Sequence, residues 1–257
     1  MLVCTVRDCR LPLLRTDRQM VCARGHSFDV ARTGYLNLLQ PQERRSKAPG
    51  DSVAAVAGRR RVYDLGVAAP LLAGIAEASR AEADDVVLDA GCGDGYYLGS
   101  LTGLCGCRGH GVDISIPAVE AAARRYPACE GVVANADRFV PYSDGAFSLV
   151  LSITARMNPG EFRRILRADG RLLVALPAPD DLIELRGSGR EDRVDRTVAD
   201  FAADFALIQQ ERVSTSADLD ADTVAGLLRS IYRPAAAGGT VDMRVTFSLD
   251  LLLFRVL

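Results

Sequence analysis

The chain has 257 residues, enough for one α/β core plus a small accessory module. Hydrophobic residues make up 49% and charged residues 25%. No run of about 18 uncharged apolar residues occurs, so no helical membrane span is expected. The formal net charge of -2 is spread unevenly: residues 1–62 carry +7 and the remainder -9. A basic head on an acidic body is expected to meet a polyanion, the plainer alternative being a solvated surface on a small module.

Residues 1–40 are rich in Cys, Arg and turn formers and offer little apolar periodicity, so this head needs a staple to fold. The start, Met1-Leu2-Val3-Cys4, lacks the basic region and apolar run of a secretory signal, and a cytoplasmic location is expected. Residues 41–80 read as a polar linker followed by helices over 52–64 and 67–80. Pro49-Gly50 breaks structure, and Asp51 or Ser52 can cap the first helix. From residue 81 to 257 short apolar strands alternate with helices. Strands are expected at 86–90, 109–113, 131–135, 147–152, 171–176, 206–215 and 245–253, with helices including 117–125, 160–166 and 221–230. This alternation implies a seven-stranded, mainly parallel sheet covered on both faces, its last strand antiparallel, with the head separate from it. Residues 186–196 read as a mobile loop.

Seven cysteines stand at positions 4, 9, 22, 92, 105, 107 and 129. An odd count in a chain of this type argues for metal binding over a disulfide framework. Cys4 and Cys9 form a C-x4-C knuckle, and Cys22 and His26 form a C-x3-H pair. Two close pairs of such ligands suit a closed tetrahedral Zn2+ site of structural type. The competing reading is buried free thiols beside a surface histidine. Cys92, Cys105, Cys107 and Cys129 read as loop or core residues, with Cys105-x-Cys107 a weaker second pairing.

The segment Val86-Val87-Leu88-Asp89-Ala90-Gly91-Cys92-Gly93-Asp94-Gly95-Tyr96-Tyr97 takes a buried strand into a glycine-rich loop and then a helix. Loops at the carboxyl ends of such strands bind ligands, glycines let a ligand approach the backbone, and the helix start can meet an anion. A nicotinamide dinucleotide fits poorly, because the third glycine comes one residue early and Asp89 and Asp94 repel a pyrophosphate. The same acids suit S-adenosyl-L-methionine, which carries an ammonium and a sulfonium. Asp113, at the end of the second strand, can hold two ribose hydroxyls, with Ile114 beside it. Asn135 and Ala136 can meet the adenine edge. The cofactor set is thus Asp89, Gly91, Cys92, Gly93, Asp94, Gly95, Tyr96, Asp113, Ile114, Asn135 and Ala136.

Several runs resemble the bacterial 23S ribosomal RNA guanine-N1-methyltransferases, which methylate a guanine in the hairpin 35 loop. They are Cys22-Ala23-Arg24-Gly25-His26-Ser27-Phe28-Asp29, Gly34-Tyr35-Leu36-Asn37-Leu38-Leu39, and Arg44-Arg45-Ser46-Lys47 with Pro49-Gly50-Asp51-Ser52. Further runs are the cofactor loop, Ala123-Arg124-Arg125-Tyr126-Pro127, and Pro177-Ala178-Pro179 before Leu182-Ile183-Glu184-Leu185. The resemblance covers nearly the whole chain and weakens after about residue 190. It implies a Rossmann-like class I methyltransferase fold with an N-terminal zinc-binding module, and an RNA hairpin loop as partner. The chain departs from the pattern in its longer first knuckle, in Ala155-Arg156 where relatives show Ala-Pro, in Asp181 where some carry histidine, and in Ala68 where an aromatic stands.

The physical reading supports RNA independently: a head bearing Arg7, Arg10, Arg15, Arg18, Arg24 and Arg32 can follow a phosphate backbone. RNA contacts are expected from Arg44, Arg45, Lys47, Arg59 and Arg60. The acceptor pocket is expected beside residues 152–158 and Asp181. Asn158 and Asp181 are candidates for the Watson–Crick edge, and Arg156 for a phosphate or a nearby carboxylate. A homodimer is one assembly open to such a chain. Two rival functions stand beside this one: a small-molecule methyltransferase, which needs no basic zinc head, and an RNA-binding relative without catalysis.

Overall fold

The computed structural model describes residues 1–7, 9–43, 49–231 and 241–257. Three short strands, β1 (Leu13–Arg15), β2 (Gln19–Cys22) and β3 (Ser27–Asp29), pair antiparallel into a small sheet, and β4 (Leu36–Asn37) follows. Helix α1 (Val53–Asp64) starts at Ser52, whose Oγ accepts from the Ala55 N–H at 3.2 Å. Helix α2 (Ala69–Ser79) has Pro70 in its first turn and ends on Arg80 in the left-handed region.

The main domain then runs β5 (Val86–Ala90), α3 (Tyr96–Cys105), β6 (Arg108–Asp113), α4 (Ile116–Arg125), β7 (Glu130–Val133), β8 (Phe147–Ile153), α5 (Pro159–Ile165) and β9 (Leu166–Pro177). It closes with α6 (Ile183–Arg186), α7 (Val194–Phe201), β10 (Phe205–Leu219), α8 (Ala221–Leu228) and β11 (Met243–Val256). The sheet order is β10-β11-β9-β8-β5-β6-β7-β4. Strands β4 to β9 pair parallel, and β11 lies antiparallel between β9 and β10. All five residues of β5 are buried, as a strand covered on both faces must be. Along β10 exposed residues alternate with half-buried ones, the pattern of an edge strand.

Two expectations need correction. Residues 194–196, expected as the end of the 186–196 loop, instead open helix α7, which runs to Phe201. Val194, Thr197, Val198 and Phe201 stand at helical spacing, and Val194, Thr197 and Phe201 are buried, a signal hidden by the charges around them.

The head is also not separate from the sheet. Strand β4 adds an eighth strand, pairing Leu36 with Val132 and Asn37 with Val133. The Leu38 N–H donates to the Val133 carbonyl at 2.9 Å, and the Val3 N–H to the Pro141 carbonyl at 3.0 Å. Cys4, Leu13, Cys22, Leu36 and Leu38 join one apolar cluster with Val132, Tyr142, Phe147 and Phe162 of the body. The reason is physical. The outer edge of β7 needs a partner, and so small a head lacks the apolar surface for a core of its own. Among the described residues no single helix is long and apolar enough to cross a membrane.

Leu38 is fully buried at this joint. Leu38→Ala should cost about 2–5 kcal/mol. Scanning calorimetry should show one transition for the whole chain, lowered by roughly 5–15 °C. A separate, lowered transition for the head would contradict the shared core.

Candidate functional site

The head gathers its four expected ligands. Gly25, at φ 82°, turns the chain so that the Cys22 N–H reaches the His26 carbonyl at 3.0 Å. A second turn, from the Cys9 N–H to the Val6 carbonyl at 3.0 Å, absorbs the longer first knuckle. The ligating atoms of Cys4, Cys9, Cys22 and His26 all lie within 4.8 Å of one another. His26 Nδ1 is 3.4 Å from the Sγ of both Cys4 and Cys22, and the Sγ atoms of Cys9 and Cys22 are 3.7 Å apart. A tetrahedral zinc sets sulfur–sulfur edges of about 3.8 Å and sulfur–nitrogen edges of about 3.6 Å. The cage fits the ion, and with four protein ligands it leaves no open position.

The cofactor loop joins β5 to α3. Gly91, Gly93 and Gly95 have φ of 93°, 53° and 76°. A Cβ at Gly91 would strike the Cβ of Ala155, so glycine is required there. The N–H groups of Gly91 and Cys92 donate to the Val112 carbonyl at 2.8 and 3.1 Å. Asp113 Oδ2 accepts from the Gly93 N–H at 2.9 Å, and Oδ1 from the Ser115 N–H at 2.8 Å. Asp113 thus holds the loop in shape, and each oxygen retains a lone pair for a ribose hydroxyl.

Asp89 is 2% exposed and its Oδ1 has no protein partner. Burial, and then the Asp113 charge, push its carboxyl up to about 8. Burial also raises Asp94 and Asp113. An orphaned buried carboxyl oxygen beside a glycine cradle and two more acids is the environment a cationic cofactor completes. Ile114 packs against Leu39, Val119 and Val133. Tyr96 stacks on Tyr63 of α1, with ring centroids 4.0 Å apart. Asn135 Oδ1 accepts from the Asp137 N–H at 3.2 Å and its Nδ2 donates to the Glu43 carbonyl at 3.4 Å, with Ala136 next to it.

Of the expected RNA contacts, Arg44, Arg45 and Lys47 lie outside the described residues. Arg59 and Arg60 turn inward. Arg59 pairs with Asp51, while Arg60 Nη2 lies 2.7 Å from Asp94 Oδ2 and donates to the Asp94 carbonyl at 3.0 Å. Val56, Arg59, Arg60 and Tyr63 share one helical face, which is the sequence signal that could have shown this. Ser115 also went unnoticed in the sequence. Its Oγ donates to the Asp51 carbonyl at 2.7 Å and fastens the start of α1 over the cofactor edge.

On the acceptor side, Asn158 caps α5. Its Oδ1 accepts from the Glu161 N–H at 3.3 Å and its Nδ2 donates to the Asp137 carbonyl at 3.0 Å. Arg156 is 76% exposed on its side chain and lies 3.5 Å from Asp137. Asp181 is buried, accepts from the Ser248 N–H at 3.2 Å and faces Arg190 at 3.4 Å. Burial raises its carboxyl.

The family model for the N-terminal zinc ribbon of RlmA matches residues 4–47, and a methyltransferase-domain model matches residues 87–174. The "23S rRNA (guanine(748)-N(1))-methyltransferase" of Streptomyces fradiae is 40% identical over 226 residues, covering 84% of this chain and 80% of that protein. This chain belongs to the 23S rRNA guanine-N1-methyltransferase family. A second member, named "Putative 23S rRNA (guanine-N(1)-)-methyltransferase" in Micromonospora griseorubida, is 33% identical over 69% of this chain and 66% of its own length. Among solved structures, a chain from the "Complex between the Haloferax volcanii Trm112 methyltransferase activator and the putative methyltransferase" matches with a TM-score of 0.55. It is 19% identical, covers 80% of this chain and 98% of that one, and attests the class I fold alone. As a family member the chain is an S-adenosylmethionine-dependent methyltransferase carrying a structural zinc ribbon.

The Asp89 carboxyl gives this site a pH signature. In the free enzyme it is protonated below about pH 8. A bound ammonium favours the carboxylate, so binding lowers this pKa and releases a proton. Affinity for S-adenosylhomocysteine should rise with pH from roughly 6.5 to 8 and level off above, by up to about tenfold per unit. Calorimetry across that range checks it. Asp89→Asn should flatten the profile, and an equally flat wild-type profile would remove Asp89 from the cation site.

Proposed function

We propose that this enzyme methylates N1 of a guanine in a hairpin loop of 23S ribosomal RNA, in the cytoplasm. The observation that carries the reading is the basic zinc ribbon sharing one core with the acceptor side of the methyltransferase sheet. The names of the relatives point to the same substrate.

When bound, S-adenosylmethionine supplies an electrophilic methyl group. Its sulfonium would give the methyl group to N1 in one displacement, and the N1 proton would need a base of this chain to receive it. The protein's task is alignment. Taking the guanine out of its loop costs a few kcal/mol, offset by contacts to the flipped base. Asp181, held up by burial, is the candidate acceptor of the N1 proton. Asn158 fixes the pocket rim, and Arg156 meets phosphate. Arg44, Arg45 and Lys47 add RNA contacts from the linker.

Asp113 holds the ribose, and Asn135 and Ala136 border the adenine. The acids of the loop take the cofactor's positive end, which leaves its carboxylate to a cation. Arg60 is committed twice to Asp94, whereas Arg59, the other inward cation of α1, pairs once, with Asp51, and keeps further N–H donors for that role. Arg59→Met should weaken S-adenosylhomocysteine binding by about tenfold or more. It should leave 5′-methylthioadenosine, which lacks the carboxylate, nearly unaffected. Equal losses for both ligands would mark Arg59 as a purely structural residue.

The function itself is tested by incubating purified enzyme with S-adenosylmethionine and a stem-loop RNA of the hairpin 35 sequence. Mass spectrometry of the digested RNA should find one methyl group on a guanine N1. Cofactor binding without any RNA methylation would favour a small-molecule acceptor.

A further inference from the structure

The segment between β7 and β8 brings two arginines from other parts of the chain beside one of its own. Arg10 of the zinc head sits over the Phe139 ring, its Cζ 4.7 Å from the centroid. Arg156, after β8, reaches Asp137 at 3.5 Å. Arg138 lies between these two anchor points, and all three arginines are exposed. We propose that Arg10, Arg138 and Arg156 form a phosphate-binding seam that leads single-stranded RNA from the zinc head to the acceptor pocket. This rests on the RNA reading above.

Four observations carry it. First, the three cations are available. The contrast is Arg164, whose Cζ lies 4.9 Å from the same Phe139 ring but whose guanidinium is spent on Glu161, Asp144 and the carbonyls of Val140 and Tyr142. Second, among the described residues the one carboxylate paired with these three arginines is Asp137, on Arg156 and itself partly exposed, so the patch keeps a net positive charge. Third, the backbone is held in an uncommon state on both sides of the seam. Arg10 has φ 47° and Thr154 has φ 52°, a region that non-glycine residues seldom occupy unless their surroundings hold them there. Fourth, the place is right. The Asp137 carbonyl receives the Asn158 amide at the acceptor rim, and Asn135 lies two residues past the end of β7. An RNA strand that touches the head and delivers a base to the pocket crosses this segment, and exposed guanidinium groups there are suited to phosphate.

The test is a titration of fluorescently labelled hairpin 35 stem-loop RNA, read by anisotropy across a salt series. The triple variant Arg10→Gln, Arg138→Gln, Arg156→Gln should lose about two units of the log–log salt slope, at roughly 0.7 per single-strand phosphate contact, and about 100-fold in affinity near 0.1 M salt. Its zinc content and its affinity for S-adenosylhomocysteine should match wild type. The matching triple lysine variant should keep most of the slope. Asp137→Asn, which removes the opposing charge, should tighten RNA binding about threefold to fivefold. Arg255→Gln, on β11 at the opposite end of the sheet from β4 and β7, should change nothing. Wild-type affinity and slope in the triple glutamine variant would overturn the seam, as would equal losses in the lysine and glutamine variants. Binding to naked RNA that survives while binding to the large ribosomal subunit is lost would also overturn it, by assigning the patch to a ribosomal protein. If wild type itself fails to bind the stem-loop, the RNA reading falls and the seam with it.

Discussion

A zinc ribbon of about forty residues cannot bury enough apolar surface to stand alone, and here it does not try. It borrows the core of its neighbour. Leu36 and Leu38 complete the layer beneath β7, and the ligands Cys4 and Cys22 belong to the same cluster as Val132 and Phe147. Metal binding and sheet packing are therefore parts of one folding event. The consequence is geometric. A head tied by a flexible linker could move independently of the catalytic domain, whereas a head hydrogen-bonded to β7 stands at a fixed distance from the loop after β8.

The second constraint is electrostatic. Asp89, Asp94 and Asp113 surround one glycine loop, and burial raises all three. Such a cluster is costly unless cations relieve it. Helix α1 supplies two, Arg60 on Asp94 directly and Arg59 through its field on Asp94 and Asp113, and Arg125 of α4 adds a weaker field on Asp94. Asp89 remains with an unpartnered oxygen. The vacancy in charge matches the positive groups of the cofactor, so affinity is stored in the free protein as unrelieved repulsion. Helix α1 thereby bears on the charge of the glycine loop, although it precedes the first strand of the domain by more than twenty residues of sequence.

Much of this was legible from local patterns. The metal ligands come in two short pairs, and the loop from Asp89 to Gly95 is one continuous run, so spacing alone identified both. What was missed depended on distant contacts. Strand β4 is two residues long and carries no periodicity; it exists because β7 has an edge to cover. Helix α7 was hidden because Arg190, Glu191, Asp192 and Arg193 read as a polar loop running into it, while its buried residues Val194, Thr197 and Phe201 are spread over two turns. Arg59 and Arg60 were read as RNA contacts because composition does not reveal which side of a helix faces an acid, and they pair with Asp51 and Asp94 instead. Asn158 was read as an acceptor-pocket residue, and the structure commits both ends of its amide to capping α5 and holding Asp137.

The segment after β7 explains how these parts act together. Its strand pairs with β4, so the zinc head bears on one side of it. Its first residue past the strand turn, Asn135, reaches the Glu43 carbonyl at the start of the linker. Its next residues hold Asn158 and Arg156 of the acceptor loop through Asp137, and Arg10 of the head through Phe139. A displacement of the head would therefore be felt at the adenine edge and at the acceptor rim through the same few residues, with no need for a longer path. The sheet supplies the rigidity, since β7 is hydrogen-bonded on both sides and ends where the segment begins. Fixing head, cofactor edge and acceptor rim to one strand end is a direct way to hold a flipped base against a methyl donor within the tolerance that in-line transfer demands.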